Sequence, residues 1–455
     1  MDLVFTRWIM AITKNNYYEG KVVDYTHEGL GVVKVDGYPV FIQDALLNES
    51  IRFKAIKVNS KFGYGKLIDI IDQSENRIEP PCPYYFQCGG CQIQSMSYEE
   101  QLEFKRIVVK NNMRRLPIDL LIHPTVGDNE GNYYRNKSQI PVQMRDGKLE
   151  MGFYRERSHD LINIDHCLIQ KDIHNELMLR TKELIEAENI SIYDEKKHQG
   201  LLRHVIMRSS HDDAQVQITF VTNGKENVFR NITNTLAAEY PNIKSIVQNI
   251  NDRKTNVIMG RENKVLHGEP YIVDTLLGKQ FKIRTNSFYQ VNHRQTEKLY
   301  QLAIDAAELK GDEVIVDTYC GIGTIGLSVA YKVKQLIGIE IVESAVVDAR
   351  ENAKLNNVEN ATFYQGASEV IMKELVAEGI KPDVVFVDPP RKGCHTDFLE
   401  CLIEVSPEKI VYISCNPSTL ARDMKYLMAH GYTAKEVKPL DMFPQTNHWM
   451  PREKS

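Results

Sequence analysis

The chain begins with short runs in which apolar and polar residues alternate, and glycines separate these runs. Between residues 18 and 71 the runs cover 20–25, 29–35, 38–42 and 51–58. Alternation with a period of two residues predicts strands with one buried face, and several short strands in close succession are typical of a small barrel. We therefore predict an OB-like β-barrel of five strands over residues 12–73.

The middle of the chain combines helical and alternating patterns, and a proline-rich break at residues 79–83 separates it from the barrel. Helical patterns cover 97–116 and 172–190, and strand patterns cover 133–164 and 201–221. Ser97 is a suitable N-cap for the first helix, because Glu100 follows three residues later as in a capping box. These patterns predict a mixed α/β domain over residues 78–268.

From about residue 270 the pattern becomes a regular alternation of strands and helices. Apolar runs rich in valine and isoleucine occur at 314–316, 335–339, 384–387 and 410–413. Strands that are apolar on both sides are typical of a parallel sheet covered by helices on both faces. We predict a doubly wound, Rossmann-like domain over residues 270–455, and the fold as a whole is predicted to be of the α/β class.

The composition fits a globular protein and excludes several other classes. Hydrophobic residues make up 42% of the 455 residues and charged residues 26%, which is too apolar for a disordered chain. No apolar run approaches the ~18 residues that a membrane span needs. The apolar start at residues 1–12 contains Arg7, and no small-residue cleavage site follows it. We therefore expect no signal peptide, no membrane partner and a cytoplasmic protein.

The net charge and the cysteines direct attention to local sites. A formal charge of −5 excludes a protein that coats nucleic acid by bulk positive charge, so nucleic-acid binding depends on local patches. Candidate patches that combine aromatic and basic residues lie at 133–137, at 154–157, and at Leu202, Arg203, His204 and Arg208. Eight cysteines are too few for a disulfide scaffold, and clustered cysteines in a reducing compartment indicate a metal site or catalysis.

Three cysteines lie close together in the pattern Cys82-x5-Cys88-x2-Cys91, and Cys167 is a candidate to complete a set of four. Closely spaced thiolates on a glycine-containing loop can surround a compact metal centre, and four sulfur atoms complete a tetrahedral set of ligands. Zinc and an iron–sulfur cluster both favour thiolate ligands, so the spacing leaves these two alternatives open.

A glycine-rich turn follows the first strand of the predicted parallel sheet, with Gly321, Gly323 and Gly326 in a G-x-G-x2-G pattern. This pattern alone also fits nicotinamide dinucleotides. Asp317 stands just before the turn, where a carboxylate would repel a pyrophosphate at the helix N-terminus. The same carboxylate tolerates S-adenosylmethionine, which carries a sulfonium and an ammonium group and no phosphate. Glu340 ends the next strand, where an acid can accept hydrogen bonds from ribose hydroxyls.

Two further motifs follow later strands of this sheet, whose carboxyl ends face the ligand crevice in such folds. Asp388 opens the motif Asp-Pro-Pro-Arg-Lys-Gly, and Arg391 stands where methyltransferases that act on exocyclic amines carry an aromatic residue. Cys415 lies between a buried strand and a new helix, and a helix N-terminus favours a thiolate. C5 of uracil is too weak a nucleophile to attack a sulfonium directly. A thiolate that adds to C6 would give C5 the reactivity that methylation needs.

Together these motifs resemble the RNA uridine-5-methyltransferases of the RumA and TrmA type, over nearly the whole chain up to about His448. The most specific elements are the four cysteines, the motif that begins at Asp388, and Ser414-Cys415-Asn416-Pro417. The resemblance implies that the barrel is a TRAM-like RNA-binding domain, that Cys415 is the nucleophile, and that the four cysteines hold a 4Fe–4S cluster. The residues implied to bind S-adenosylmethionine are Gln290, Tyr319, Glu340 and Asp388.

The cluster cysteines look like the ribosomal-RNA branch of that family, since the transfer-RNA branch generally lacks them. The resemblance therefore implies 23S ribosomal RNA as the substrate, with a target uridine that is single-stranded or flipped out of its stack. We expect a monomer. A transfer-RNA enzyme, a methyltransferase for another kind of acceptor and a non-catalytic iron–sulfur RNA-binding protein are the alternatives.

The end of the chain departs from the family pattern. The family ends with D-M-F-P-x-T-x-H-V-E, in which the glutamate removes the C5 proton, and then with a final apolar strand. Met450 stands at the position of that acid, and Pro451 disfavours a central strand. Glu453 lies three residues further on, about 10 Å along an extended chain. We therefore hypothesise that this chain methylates C5 but releases its product slowly.

Overall fold

The computed structural model, which describes residues 12–129 and 131–448, begins with a closed barrel. Its strands are β1 (Tyr17–Tyr25), β2 (Gly31–Val35), β3 (Tyr38–Ile42), β4 (Ser50–Val58) and β5 (Gly63–Asp72). They follow one another around the barrel in the order β1-β2-β3-β5-β4. Val22, Val33, Ile51 and Phe53 are fully buried inside it. The five-stranded barrel that the alternating pattern predicts is confirmed.

Helix α1 (Tyr98–Met113) follows the barrel and begins at the predicted N-cap. The Ser97 hydroxyl accepts a hydrogen bond from the Glu100 backbone N–H at 3.3 Å. The Ser97 N–H donates to the Asn76 carbonyl, so the reciprocal bond of a capping box is replaced. The Glu100 carboxylate accepts hydrogen bonds from the Tyr25 hydroxyl at 2.7 Å and from the Asn76 amide at 3.1 Å. Glu100 therefore joins the helix to the barrel.

The middle of the chain contains a seven-stranded sheet with two helices packed against it. The elements are β6 (Leu121–Ile122), β7 (Lys137–Arg145), β8 (Lys148–Tyr154), β9 (Leu161–Asn163), α2 (Asp172–Ala187), β10 (Leu202–Ser209), β11 (Val216–Thr222), α3 (Arg230–Glu239), β12 (Ile243–Ile250) and β13 (Glu262–Gly268). The sheet order is β13-β12-β11-β10-β7-β8-β9. Strands β11 and β12 run parallel, and the other neighbours run antiparallel. Leu177 of α2 and Leu236 of α3 lie in the core beneath this sheet.

The last part is a parallel sheet with helices on both faces, and a hairpin precedes it. The elements are β14 (Tyr271–Leu276), β15 (Lys279–Arg284), α4 (His293–Ala307), β16 (Val314–Thr318), α5 (Thr324–Val329), β17 (Gln335–Glu340), α6 (Glu343–Leu355), β18 (Ala361–Gln365), α7 (Ser368–Ala377), β19 (Val384–Val387), α8 (Thr396–Val405), β20 (Lys409–Tyr412), α9 (Pro417–Ala429) and β21 (Glu436–Val437), with a short 3-10 turn at Ala330–Lys332. The order of the parallel strands is β18-β17-β16-β19-β20.

Successive residues of the parallel strands enter two separate cores. Ile315 packs with residues of α4, α5 and α6, whereas its neighbour Val316 packs with residues of α7, α8 and α9. Burial on both sides explains the nearly continuous apolar runs in the sequence, and the Rossmann-like α/β prediction is confirmed. The hairpin β14–β15 and the strand β18 lie outside the predicted strands. In β18 only Phe363 is buried, so the sequence shows no apolar run there.

The end of the chain returns to helix α1. Strand β21 pairs with β6, and we call residues 436–448 the returning segment. Within it, Asp441 forms a buried ion pair with Lys105 of α1. The Lys105 ammonium also donates to the Phe443 carbonyl at 2.9 Å. A charged residue in the middle of α1 is therefore satisfied entirely by the last part of the chain.

Side-chain amides extend this attachment in two directions. Gln101 and Gln445 exchange two hydrogen bonds, each of 2.9 Å, which join α1 to the returning segment. Asn292, the N-cap of α4, donates to the Met442 carbonyl at 3.2 Å. The returning segment thus connects the start of the middle part with the start of the parallel-sheet part.

Some expectations remain untested by the fold. Residues 1–11 and Met450, Pro451 and Glu453 lie outside the described residues. The three domain ranges stay predictions. In the ranges that the structure describes, no helix combines the length and the apolar composition that crossing a membrane requires.

Replacing Lys105 by methionine should lower the free energy of unfolding by about 3–5 kcal/mol, because the Asp441 carboxylate would stay buried without its cation. Arg106→Met on the same helix is the matched control. Arg106 pairs with Glu103, whose side chain is 41% exposed, and such a pair contributes less than about 1 kcal/mol. Urea unfolding followed by circular dichroism measures both variants. Equal losses in the two variants would contradict a structural role for the buried pair.

Candidate active site

The carboxyl ends of the parallel strands bring together the polar residues predicted there. Asp317 lies in β16, Glu340 ends β17 and Asp388 follows β19, while Cys415 lies between β20 and α9. Because the strands run in the same direction, these positions share one edge of the sheet. Burial is the main cause that raises the pKa values of Asp317 and Cys415, and nearby charges add to it: Asp388 and Glu340 for Asp317, and Asp388 for Cys415. We call this edge the crevice.

Asp317 is buried beneath the glycine-rich turn. Its Oδ2 atom accepts a hydrogen bond from the Gly326 N–H at 2.8 Å, and its Oδ1 atom is buried without a hydrogen-bond partner. A Cβ atom on Gly326 would lie 2.9 Å from the same Oδ2 atom, so this close approach requires glycine. Burial raises the pKa of Asp317 to about 7, the Gly326 N–H opposes the rise, and the charges of Asp388 and Glu340 add to it.

Glu340 borders the crevice with its carboxylate fixed by backbone groups. Its Oε2 atom accepts a hydrogen bond from the Gly321 N–H at 3.1 Å, and its Oε1 atom accepts one from the Val342 N–H at 2.9 Å. Gly321 belongs to the turn after β16, and Val342 is the residue before α6. Glu340 therefore fixes the loops that follow two neighbouring strands.

Tyr319 contributes backbone geometry to the same turn. Its φ angle is +58°, which is uncommon for a residue other than glycine. Its ring packs edge-on against Phe398 of α8, with 5.5 Å between the ring centroids. Burial raises the pKa of the Tyr319 hydroxyl above its ordinary value. The ring thus belongs to the core beneath α8, and the backbone of Tyr319 belongs to the turn.

Asp388 and Gln290 each have a buried polar atom without a hydrogen-bond partner, Oδ1 of Asp388 and Nε2 of Gln290. Burial raises the pKa of Asp388 to about 7. Gln290 lies just before α4, the helix whose Tyr300 has its pKa raised by burial and by the charges of Asp388 and Asp317. A buried polar atom without a partner costs free energy, so these atoms favour a bound ligand that supplies the missing hydrogen bonds.

Cys415 is buried, with 6% of its surface exposed, and it directly precedes the capping residue of α9. The Asn416 side chain caps this helix by accepting a hydrogen bond from the Ser418 N–H at 3.0 Å. Burial raises the pKa of Cys415 to about 11, the Asp388 carboxylate raises it further, and the Arg391 guanidinium lowers it. The helix N-terminus that we expect to favour a thiolate is present, and burial and the nearby carboxylate act in the opposite direction.

A buried carboxylate that the sequence analysis does not assign stabilises this region. Asp423 lies in α9, and its Oδ2 atom accepts hydrogen bonds from the Cys394 N–H at 2.9 Å and from the Tyr412 hydroxyl at 2.7 Å. Its Oδ1 atom accepts a hydrogen bond from Arg422 at 2.7 Å. These contacts hold the loop after β19 against the helix that follows Cys415. Asp423 thereby fixes the position of both crevice motifs relative to each other.

The structure also brings together Cys82, Cys88, Cys91 and Cys167, all as free thiols. Burial raises the pKa of Cys88 to about 11, the Gly90 N–H opposes the rise, and the charges of Cys167 and Cys82 add to it. No three of these sulfur atoms, all within the described ranges, lie within 4.8 Å of one another. Around a tetrahedral zinc ion, with bonds of about 2.3 Å, the sulfur atoms would be about 3.8 Å apart. The four thiols therefore do not form a compact zinc-type group in the described ranges.

The predicted nucleic-acid patches are only partly at the surface. Arg203 is 6% exposed and Arg208 is 2% exposed, so the prediction of a nucleic-acid-binding patch on β10 is wrong. The Arg203 guanidinium instead donates to backbone carbonyls and lies over the Tyr193 ring at 4.5 Å. Residues 155–157 are exposed, as predicted. A charge pattern alone cannot distinguish an arginine at the surface from one that holds a buried loop.

A further aromatic and basic surface, which the sequence analysis does not single out, lies on the barrel. The rings of Phe41 and Phe62 stack with centroids 5.3 Å apart, and Tyr64 packs edge-on against both rings at 5.8 Å. The Lys57 ammonium lies 5.9 Å from the centre of the Tyr64 ring. We call these four residues the barrel aromatic surface. Partly exposed rings beside a basic side chain can stack on nucleic-acid bases.

Comparison with known proteins agrees with this geometry. The family model described as tRNA (uracil-5-)-methyltransferase matches residues 97–451. An uncharacterized RNA methyltransferase from Staphylococcus aureus (strain MSSA476) is 50% identical over 444 residues, which cover 97% of this chain and 98% of that protein. An uncharacterized RNA methyltransferase from Staphylococcus epidermidis (strain ATCC 12228) is also 50% identical over 444 residues, with 96% and 97% covered.

A solved structure matches along nearly the whole chain. It is the Pyrococcus abyssi tRNA (uracil-54, C5)-methyltransferase in complex with S-adenosyl-L-homocysteine. The TM-score is 0.76 and the sequence identity 28%, and the match covers 95% of this chain and 98% of that chain. Because so much of the chain is covered, the similarity includes the barrel, the seven-stranded sheet and the parallel sheet.

The variant Asp388→Asn should become more stable relative to the parent as the pH rises from about 4 to about 7. The folded parent keeps a proton on Asp388 up to about pH 7, whereas the unfolded chain loses it near pH 3.8, so ionisation costs the folded state stability in this window. The expected difference is on the order of a few kcal/mol. Thermal unfolding at a series of pH values measures it, with Asp397→Asn, at an exposed site, as the control. An unchanged difference between variant and parent across this window would contradict the assignment.

Proposed function

This chain belongs to the tRNA (uracil-5-)-methyltransferase family, and we propose that it transfers a methyl group from S-adenosylmethionine to C5 of a uridine in RNA. The proposal rests on one observation above all: Cys415 lies at the same edge of the sheet as carboxylates that have buried atoms without partners. A nucleophile for the base and a site for a cationic methyl donor thus adjoin each other.

The acidic crevice suits the methyl donor for an electrostatic reason. S-adenosylmethionine carries two positive groups, and positive charge nearby would favour the ionised forms of Asp317 and Asp388, whose pKa values are raised to about 7. We propose that Gln290, Tyr319, Glu340 and Asp388 bind the donor, which supplies the methyl group. The S-adenosyl-L-homocysteine bound to the Pyrococcus abyssi enzyme supports the choice of S-adenosylmethionine as the donor.

Cys415 is the proposed nucleophile. Its Sγ atom loses a proton and adds to C6 of uracil, the C5=C6 double bond opens, and the electron pair becomes available at C5 for the methyl group. Because the pKa of Cys415 is about 11, the thiol needs help to ionise. The Arg391 guanidinium lowers this pKa, and the positive charge of a bound donor would lower it further. Occupation of the crevice therefore prepares the thiol for addition.

The reaction ends when a base removes the C5 proton, the C–S bond breaks and the double bond returns. Met450 stands where the family carries the acid for this step, and a thioether cannot take the proton. We propose that methyl transfer proceeds while release of the product is slow, so that the covalent Cys415–C6 adduct accumulates.

The RNA substrate is proposed to be 23S ribosomal RNA. This choice follows from the four cysteines and the resemblance they carry, and transfer RNA is the alternative because the family model and the Pyrococcus abyssi enzyme are both named for it. We propose that the barrel is TRAM-like, that the barrel aromatic surface stacks on bases, and that Arg155 and Arg157 contact phosphates. An RNA substrate is also our reason to expect a cytoplasmic protein, and a monomer stays a prediction.

The four cysteines are proposed to hold a 4Fe–4S cluster. The proposal rests on the cysteine pattern and on the resemblance it carries; in such a cluster each thiolate would bind a different iron atom. Methyl transfer needs no electron transfer, which makes a structural role the simplest one. Cys91 and Cys167 border the core that contains Leu440 and Phe443 of the returning segment. A cluster there would stabilise the junction between the middle part and the end of the chain.

Transfer of a labelled methyl group to RNA tests the proposed function. The protein should convert uridine to 5-methyluridine in ribosomal RNA, and Cys415→Ala should reduce this at least about 1000-fold, because C5 then lacks activation. Cys401→Ala, which removes a buried thiol outside the crevice, is the control. Nucleoside analysis by mass spectrometry identifies the product. Methylation of transfer RNA and not of ribosomal RNA would show that transfer RNA is the substrate. RNA binding without any methyl transfer would identify a non-catalytic protein.

Restoring an acid at residue 450 should speed product release. With RNA in excess, the parent should rapidly methylate an amount of RNA equal to the enzyme concentration and then turn over slowly. Met450→Glu should turn over at least about tenfold faster in this slow phase. Met450→Gln, which has a similar shape and cannot take the proton, is the control. Rapid multiple turnover of the parent without an adduct would refute the proposed impairment.

The nature of the cysteine site can be measured directly. Anaerobically purified protein should contain about four iron atoms per chain and absorb near 400 nm, and Cys88→Ser should lose both signals and unfold at a lower temperature. Cys401→Ser should keep the iron. Purified protein that contains one zinc ion in place of iron would contradict the cluster, and unchanged folding and RNA binding in Cys88→Ser would contradict its structural role.

A further inference from the structure

Two histidines and an aspartate form a cluster where the seven-stranded sheet meets the parallel-sheet part. His211 lies in the turn between β10 and β11, Asp274 lies in β14, and His293 is the first residue of α4. One potential ligand atom from each lies within 4.8 Å of the other two, which is true of no other set of three such residues in the described part of the chain. We propose that this cluster is a binding site for a divalent transition-metal ion of the Zn²⁺ class.

The distances within the cluster are close to those of tetrahedral coordination. With bonds of about 2.0–2.1 Å to nitrogen and oxygen, two ligand atoms of a zinc ion lie about 3.3 Å apart. His211 Nδ1 forms a hydrogen bond of 2.8 Å with Asp274 Oδ1, which a bound ion would replace, and His293 Nδ1 lies 3.6 Å from Asp274 Oδ2. The two imidazole rings are nearly parallel, at 19°, with centroids 4.6 Å apart. Both Nδ1 atoms are thus near one carboxylate, and small side-chain shifts suffice to admit an ion.

His293 has the arrangement of a metal ligand. Its Nδ1 atom is buried and has no hydrogen-bond partner among the residues that the structure describes, and its side chain is only 11% exposed. Its Nε2 atom lies 3.5 Å from a carboxylate oxygen of Glu297, one helical turn further along α4. Metal-bound histidines usually direct their second ring nitrogen to a carboxylate, which fixes the ring and leaves the first nitrogen for the metal. An ion at Nδ1 would satisfy the atom that now lacks a partner.

Asp274 is fixed in position by its surroundings. Its side chain is fully buried. Its Oδ1 atom accepts hydrogen bonds from the N–H groups of His211 and Thr275, both at 2.9 Å, and its Oδ2 atom accepts one from the Tyr289 hydroxyl at 3.1 Å. Ligating carboxylates are commonly oriented in this way. The His211 side chain is 40% exposed, so the site is open to solvent and a water molecule can complete the coordination.

An ion at this site would connect the seven-stranded sheet to the parallel-sheet part. The turn with His211 belongs to the first, and β14 and α4 belong to the second. Tyr289, which donates to Asp274, directly precedes Gln290. The ion would therefore stabilise the segment that the proposed function assigns to the methyl donor, although it would touch neither the donor nor the base. Its presence is measurable without any methyl transfer, so the two proposals can fail independently.

The test is a titration with Co²⁺ of the full-length protein that already contains its 4Fe–4S cluster. A single equivalent should bind with visible ligand-field bands and without the near-ultraviolet charge-transfer band that thiolate ligands produce, and Zn²⁺ should displace it. His211→Ala and His293→Ala should lose this binding. His159→Ala should keep it, because His159 is an exposed histidine that pairs with Glu195 elsewhere.

Thermal unfolding supplies the second readout. Zn²⁺ should raise the Tm of the parent and of His159→Ala and leave the Tm of His211→Ala unchanged. Should His293→Ala fail to fold, His211→Ala remains decisive because that side chain is partly exposed. Binding that always shows the thiolate band, or equal binding by His211→Ala, would overturn the proposal. A Tm that changes with pH but not with Zn²⁺ would also overturn the proposal, because the residues of this site would then bind protons and no metal ion.

Discussion

The crevice of this protein is built around carboxylates that are buried deeply enough to raise their pKa values. Asp317 and Asp388 each have an oxygen atom with no hydrogen-bond partner, and burial holds both pKa values near 7. Burying a carboxylate oxygen without a hydrogen-bond partner costs free energy, so such groups are typical of sites where a bound ligand supplies the missing interaction. Burial is the main cause that raises the pKa of Cys415, and the Asp388 carboxylate adds to it. Positive charge from a donor bound in the crevice would act in the opposite direction and favour the thiolate.

The geometry of this crevice depends on contacts between distant parts of the sequence. Asp423 holds the loop after β19 to α9, and the buried pair of Lys105 and Asp441 holds the returning segment to α1. The returning segment also borders the core shared by Cys91 and Cys167. The proposed 4Fe–4S site, the returning segment and the parallel sheet are thus connected by direct contacts. A 4Fe–4S cluster that takes no part in methyl transfer would still stabilise the enzyme through these contacts.

Much of the fold could be predicted from the sequence, because the parallel strands are apolar on both sides and the barrel strands alternate. The positions of Asp317, Glu340, Asp388 and Cys415 followed from the rule that parallel strands end at one edge. The raised pKa of Cys415 could not be predicted, since its main cause is the degree of burial, which the sequence does not show. The sequence analysis placed Arg203 in a surface patch and did not identify Asp423, because a charge pattern does not reveal which charged residues are buried. The cluster at His211 combines residues from three segments, so no local pattern points to it.

The central claim is that Cys415 forms a covalent bond to C6 of the target uridine. RNA in which 5-fluorouridine replaces uridine tests it most directly, because fluorine stands where the departing C5 proton would be and the adduct cannot break down, whatever residue occupies position 450. After incubation with S-adenosylmethionine and digestion, mass spectrometry should find the methylated fluorouridine linked to the peptide that contains Cys415. Methylation of uridine RNA by a protein that forms no adduct with the fluorinated RNA, or a link to another residue, would contradict the account.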